Sequence, residues 1–224
     1  MLPHRSNVLD RIFNRYSSTI AASFYGHTHM DHFEISYSDY TKKTTGNALL
    51  TSYIAPSLTP TSGMPSFRVN DVDPDTFAVV DATTYIANMT SPDFQKGPIW
   101  TKLYSTKEAY RAKIKPPVTD AKAELTPAFW HDLTEAMGED DDLFDAYMSR
   151  KSGGWKTSTC RGDCQTAELC ELRAGRSEEL CPEEPWGFGL RRRQLSEQRA
   201  KHDECGRSAI SLSFEAFASK DRML

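Results

Sequence analysis

The sequence predicts an α+β fold, with strands filling the first hundred residues and helices filling most of the rest. Three observations carry this. Phe33, Ile35 and Tyr37 alternate with Glu34, Ser36 and Ser38, the period of a half-buried strand. Paired helix-start signals appear only beyond Ile99, at Ser105-x-x-Glu108 and Thr126-Pro127. Four cysteines (160, 164, 170 and 181) crowd a short stretch late in the chain and would staple it.

Element by element, Val8, Leu9, Ile12, Phe13 and Tyr16 recur at helical spacing, so an amphipathic helix enters near Pro3. The stretch STIAASFY reads as a buried strand running into Gly26. After the half-exposed strand at 33–37 comes a second, ALLTSYIA, and then a Pro/Ser/Thr-rich loop from Pro56 to Ser66. FRVNDVD, TFAVVDA and TYIANMT continue as short strands, with a break at Asp73-Pro74. Helices are expected from about Ile99. Ser105 would cap one leading into AYRAKI, and Thr126-Pro127 would open AFWHDLTEAM, ended by Gly138. DDLFDAYMSRK would follow, with Asp140 to Asp142 favoured by the positive helix N-terminus rather than forming a calcium loop. Three segments result: sheet at 1–98, a helical disulfide-stapled region at 99–184, and a polar tail at 185–224.

With 38% hydrophobic residues the chain can bury a core, and a net charge of −4 gives no general attraction to nucleic acid. Arg191 to Arg193 alone hardly suffices for nucleic-acid binding. No apolar run of about 18 residues exists, so no transmembrane helix is expected. MLPHRSNVLD lacks an apolar signal region. The cysteine spacings lack paired C-x2-C knuckles, which favours disulfides over structural zinc and implies an oxidising compartment. Asn88-Met89-Thr90 is a glycosylation sequon in keeping with secretion. Cys205 is left over, free or paired with another chain. Trp100, Phe129, Trp130, Phe144 and Tyr147 read as core between helices, and His131 as a packing or hydrogen-bonding residue on its helix. His202 falls in a charged, solvated run, and Arg161-Gly162-Asp163 resembles a constrained integrin ligand by chance.

The chemistry concentrates in FYGHTHMDHF, three histidines and an aspartate within six residues. As His27-x-His29-x-Asp31-His32 it matches the metallo-β-lactamase pattern. As Gly26-His27-x-His29 it matches the last motif of calcineurin-like metallophosphoesterases. The first pattern expects a glycine-opened helix next and many strands before. FEISYSDY is instead a strand pattern, and only 26 residues precede His27. An extended backbone would place His27 and His29 on one side, able to reach a metal together. Asp31, His32 or His4 could complete a mononuclear site, although Asp31 suits a strand-edge turn and His32 should alternate to the face opposite Asp31.

Around this motif, TIAASFYGHTHMDHFEISY, SYIAPSLTPTSGMPSFRVNDVD, VVDATTYIANMT, WTKLYSTKEAYR, LTPAFWHDL and CRGDCQTAELCELRAGRSEELC occur in an order that resembles the acid sphingomyelinase family, from about His4 to Cys181. The resemblance implies the C-terminal part of a calcineurin-like metallophosphoesterase β-sandwich followed by a helical C-terminal region. It implies a secreted or lysosomal/vacuolar phosphodiesterase that cleaves sphingomyelin to ceramide and phosphocholine with two zinc ions. His27 and His29 would each ligate one zinc, and Cys160–Cys164 and Cys170–Cys181 would be the disulfides. The other ligands (Asp-x-His, Gly-Asp, Asn-His and a further His) and the histidine general acid lie upstream in the family, and none is found here. The chain is therefore expected to be a C-terminal fragment, inactive alone, whose partners are sphingomyelin or another phosphodiester lipid at a membrane surface and the missing N-terminal part of the enzyme. A nucleotide phosphodiesterase and a non-catalytic lipid- or protein-binding module are the rival readings. A sheet without its N-terminal strands should also expose an apolar edge.

Overall fold

In the computed structural model, the described residues all belong to one compact unit. The structure describes residues 3–61, 63–155 and 159–179, and of residues 3 and 4 only the backbone. Cys181, Arg191 to Arg193, His202, Cys205 and the polar tail lie outside the described residues.

The chain opens with helix α1 (Pro3–Arg15), then strands β1 (Ser23–Tyr25), β2 (His32–Tyr37) and β3 (Ala48–Ile54). These strands make a mixed sheet in the order β1-β3-β2, with β1 parallel and β2 antiparallel to β3. Strands β4 (Ser66–Val72), β5 (Val79–Ala87) and β6 (Trp100–Ser105) make a second, antiparallel sheet. Helices α2 (Thr106–Tyr110), α3 (Pro127–Glu139), α4 (Asp141–Lys151) and α5 (Asp163–Leu172) follow. The α+β class is as expected.

Capping residues act where the sequence places them. Ser105 accepts from the Glu108 amide, Thr126 from Phe129 and Asp140 from Leu143. The alternation of β2 buries Phe33, Ile35 and Tyr37 beside β3, with Phe33 opposite Tyr53. Against this face pack Phe129, Trp130, Leu133 and Met137 of α3, with Phe144 and Tyr147 of α4. The core therefore lies between the first sheet and the helices.

Several expectations change. The apolar residues of α1 are divided, Val8 and Ile12 exposed and Leu9 and Phe13 half-buried, with Tyr16 exposed just beyond the helix, while Ser6 and Asp10 are buried. Polar groups turn inward because they are paired there: Tyr40 donates to Asp10 Oδ1 at 2.7 Å, and the Ser177 amide donates to Ser6 Oγ at 3.0 Å. STIAASFY yields only the three residues of β1, an edge strand with Phe24 and Tyr25 exposed. TFAVVDA and TYIANMT merge into β5. Asp81 continues the strand because Ser105 Oγ and the Lys107 amide donate to its carboxylate at 2.5 and 3.0 Å.

Residues after Ile99 form β6 rather than a helix, and Trp100 is a partly exposed sheet residue at 5.0 Å from Phe67 instead of core. Helix α2 stops at Tyr110, shortly before Pro116 and Pro117. Helix α3 passes through Gly138 to Glu139, and Asp140 both ends it and caps α4.

Candidate metal-binding loop

The loop between β1 and β2 carries His27, His29 and Asp31; His32 opens β2, and His4 lies in the first turn of α1. Its backbone is not extended. His27 and His29 both sit at positive φ, 85° and 63°. Left-handed conformations cost a residue with a side chain roughly 1–2 kcal/mol each, and such strain gathers at functional sites. Strand alternation, the expected reason for the rings to share a side, thus does not apply to this backbone.

Strain of this kind persists only where the surroundings hold it. On the entry side, the Ala55 amide donates to Tyr25 O at 2.8 Å; on the exit side, the Asp31 amide donates to Lys151 O at 2.9 Å. Asp31 stands at the strand edge, directly before β2, as expected. It is buried, ion-paired with Arg68 of β4, and accepts from Thr84 Oγ1 of β5 at 2.5 Å. The carboxylate next to the histidines is therefore committed to a buried cation. His32 is likewise engaged, its Nε2 lying 3.0 Å from Thr28 Oγ1.

His27 is exposed and His29 half-exposed. The His29 Nδ1 lies 2.6 Å from Thr61 Oγ1 and 3.4 Å from Thr59 Oγ1, both in the loop preceding β4. Among the described residues no group of three or more His, Cys, Asp or Glu is placed to hold a metal ion. The donor chemistry on this loop fits zinc as two imidazole nitrogens, with the remaining ligands to come from outside the loop. Sequence reasoning missed Arg68 and Thr61. An arginine inside the alternating strand FRVNDVD was a signal for the first; nothing local marked the second.

Two titratable groups in β2 give this region a pH profile that can be checked. Burial, then Lys151, lowers the His32 pKa to about 3 from 6.5. Burial, then Glu171, raises that of Glu34 to about 7 from 4.5. For His32 the unfolded chain binds the extra proton, so its contribution to stability is lost as pH falls below 6.5 toward 3. For Glu34 the folded chain binds it, so its contribution is lost as pH rises from 4.5 through 7. Between 4.5 and 6.5 the slopes oppose. The native chain should show a nearly flat stability in this window. His32→Gln should become more stable on acidification and Glu34→Gln less, by roughly 1–2 kcal/mol across it. Urea midpoints against pH for the three chains check this; identical slopes would contradict it.

The other singled-out residues separate cleanly. His131 is buried, its Nδ1 at 2.8 Å from the Tyr37 hydroxyl, and burial lowers its pKa, the structural role expected. Arg161 is ion-paired with Asp145 and Asp163 opens α5, so the Arg-Gly-Asp triplet is built into a helix start. Cys160 and Cys164 form a disulfide as expected. Cys170 is also disulfide-bonded, and its expected partner Cys181 lies outside the described residues. Asn88 is exposed, and the Thr90 hydroxyl donates to its Oδ1 at 2.7 Å.

No protein-family model matches the chain. Individual proteins do. Sphingomyelin phosphodiesterase 1 of Caenorhabditis elegans is 31% identical over 170 residues, covering 74% of this chain and 28% of the relative. Sphingomyelin phosphodiesterase of Bos taurus is 33% identical over 175 residues, 75% of this chain and 26% of the relative. The cyclic GMP-AMP phosphodiesterase SMPDL3A of Mus musculus is 29% identical over 178 residues, 75% of this chain and 36% of the relative. The chain thus spans only about a quarter to a third of the length of these curated relatives. With three quarters of its own length matched to sphingomyelin phosphodiesterases, the chain belongs to the acid sphingomyelinase family.

Proposed function

We propose that this chain supplies the histidine-bearing loop and the helical region of a zinc-dependent phosphodiesterase that hydrolyses sphingomyelin to ceramide and phosphocholine, on a calcineurin-like scaffold. The observation that carries it is the pair His27 and His29, each held at positive φ just beyond β1, in a chain three quarters of which is matched to sphingomyelin phosphodiesterases. Two zinc ions, when bound, would supply a hydroxide and polarise the phosphoryl oxygens. The chain's own part is to present two imidazoles from a braced loop. Arg68 holds Asp31 from behind, and Thr28 holds His32. No group of this chain is assigned as proton donor to the leaving alkoxide. The carboxylates that would compensate the metal charge are not on this loop, so the chain alone is proposed to be inactive. Secretion or lysosomal residence, a glycan on Asn88 and contact with a lipid surface belong to the same proposal.

The test is metal binding by the intact 224-residue chain. Zinc titration should give weak binding that His27→Ala and His29→Ala each reduce by about 10-fold or more. No phosphocholine should be released from sphingomyelin at acid pH with zinc present. Equal zinc affinity in the native chain and the double variant would remove the metal role of the loop, and phosphocholine release would remove the proposed inactivity. A second reading, hydrolysis of a nucleotide phosphodiester, is favoured by the match to the cyclic GMP-AMP phosphodiesterase of Mus musculus. It keeps the same loop and changes the substrate.

A further inference from the structure

The loop at 56–65 runs past His29 and sets two hydroxyls against one of its ring nitrogens. Thr61 Oγ1 stands 2.6 Å from His29 Nδ1, with Thr59 Oγ1 on the same nitrogen at 3.4 Å. Thr59 Oγ1 is also 2.6 Å from Ser57 Oγ, an oxygen that already accepts from the Thr59 amide. In the arrangement where Thr59 gives its hydroxyl hydrogen to Ser57, the lone pairs of Thr59 face His29. Two hydroxyl oxygens converging on one nitrogen suit a donor N–H there.

The loop itself is seated. The Ser66 amide donates to Ser57 O at 2.9 Å, and the Met64 amide to Ser152 O at 3.3 Å, on the turn that follows α4. The packing is close enough that a Cβ on Gly63 would lie 2.0 Å from Ser152 O. On the other side of the contact, Gly153, at φ 63°, would bring a Cβ to 2.5 Å from Ser66 Oγ. The turn after α4 thus fixes the height of the loop, and the loop places Thr61 on the histidine.

We propose that Thr61 is a positioning residue that accepts the Nδ1 hydrogen of His29 and so holds the tautomer whose Nε2 lone pair can ligate a metal. The ring nitrogen opposite a ligating nitrogen ordinarily makes such a bond, which sets tautomer and ring orientation together. The consequence for zinc rests on the function proposed above; the tautomer does not.

Long-range ¹H–¹⁵N spectra of the uniformly labelled full chain, recorded above the ordinary imidazole range (about 6.5), read the tautomer directly, with His29→Gln assigning the signal. The native chain should show Nδ1–H. Thr61→Val should revert to the Nε2–H form that imidazole prefers in water, and Thr61→Ser should restore Nδ1–H. Gly63→Ala, which displaces the loop without touching Thr61, should behave as Thr61→Val. Zinc affinity should fall about 10-fold in Thr61→Val and recover in Thr61→Ser. An Nε2–H signal in the native chain, or an unchanged tautomer in Thr61→Val, would overturn the proposal. Should the native chain bind no zinc, the metal reading fails while the tautomer still decides the role of Thr61.

Discussion

Arg68→Met should be among the most destabilising single changes in the chain, with a loss of roughly 3–5 kcal/mol. Arg68 projects from β4 into the interior, its side chain 7% exposed, against an Asp31 carboxylate that is fully covered. Burial lowers the guanidinium pKa, with the Tyr104, Tyr147 and Tyr110 hydroxyls acting the other way. Removing the cation leaves a carboxylate in a dry site with Thr84 Oγ1 as a side-chain donor. One hydroxyl cannot replace a guanidinium, because a hydrogen bond to a charge is worth only about 1.5–3 kcal/mol. Asp31→Ala should cost a similar amount by stranding the arginine. The combined change Asp31→Leu with Arg68→Met should recover most of the loss, since an apolar pair of like volume spares the desolvation of both ions. In thermal denaturation each single variant should melt roughly 6–20 °C lower. Single variants within a degree of the native chain would show that the pair is not a buried brace. The change should also reach the histidine loop, because Asp31 is two residues from His29 and anchors the exit of the turn. Zinc affinity should therefore fall in the single variants although neither residue is a ligand.

The parts of this fold legible in the sequence are those set by neighbours along the chain. Thr126 before Pro127 and Asp140 before DDLF identify helix starts because a capping side chain reaches an amide only three residues on. The alternation from Phe33 to Tyr37 identified β2 because side chains there face opposite sides. What failed depended on distant partners. The outward turn of Val8 and Ile12 follows from Tyr40 and Ser177 binding the polar face of α1, and Ser177 is 171 residues from Ser6. Strand β6 forms because β5 offers it a ladder, with Trp100 opposite Ala87. At the loop, the histidine motif was visible as a pattern of letters. Its mechanics were not. The left-handed backbone, the capture of Asp31 by Arg68 and the bond from His29 to Thr61 all need chain segments that are at least 30 residues apart to meet.

Trp130→Ala should cost roughly 3–5 kcal/mol, and its value lies in where the loss spreads. The indole projects from α3, 5% exposed, into the face of the first sheet. Its ring centroid is 4.3 Å from Phe33 of β2 and 5.6 Å from Tyr53 of β3. Its Nε1–H donates to the Tyr53 hydroxyl at 3.1 Å, and that hydroxyl donates to Leu125 O at 3.3 Å. Alanine would remove the ring contacts and the donor at once and leave a cavity beside the rings of Phe33, Tyr53 and Phe129. Trp130→Phe keeps most of the buried area and should cost only about 1–2 kcal/mol, chiefly for the lost hydrogen bond. Because this side chain joins strands near the start of the chain to a helix beyond residue 126, sheet and helices should unfold together. Circular dichroism for the helices and tyrosine fluorescence for the sheet should report one coincident transition, displaced to lower urea in Trp130→Ala with the slope unchanged. Two separated transitions would mean that the first sheet folds without α3. The histidine loop at the end of β1 would then owe its geometry to the sheet alone, and the brace running from the turn after α4 through Thr61 to His29 would have no fixed support.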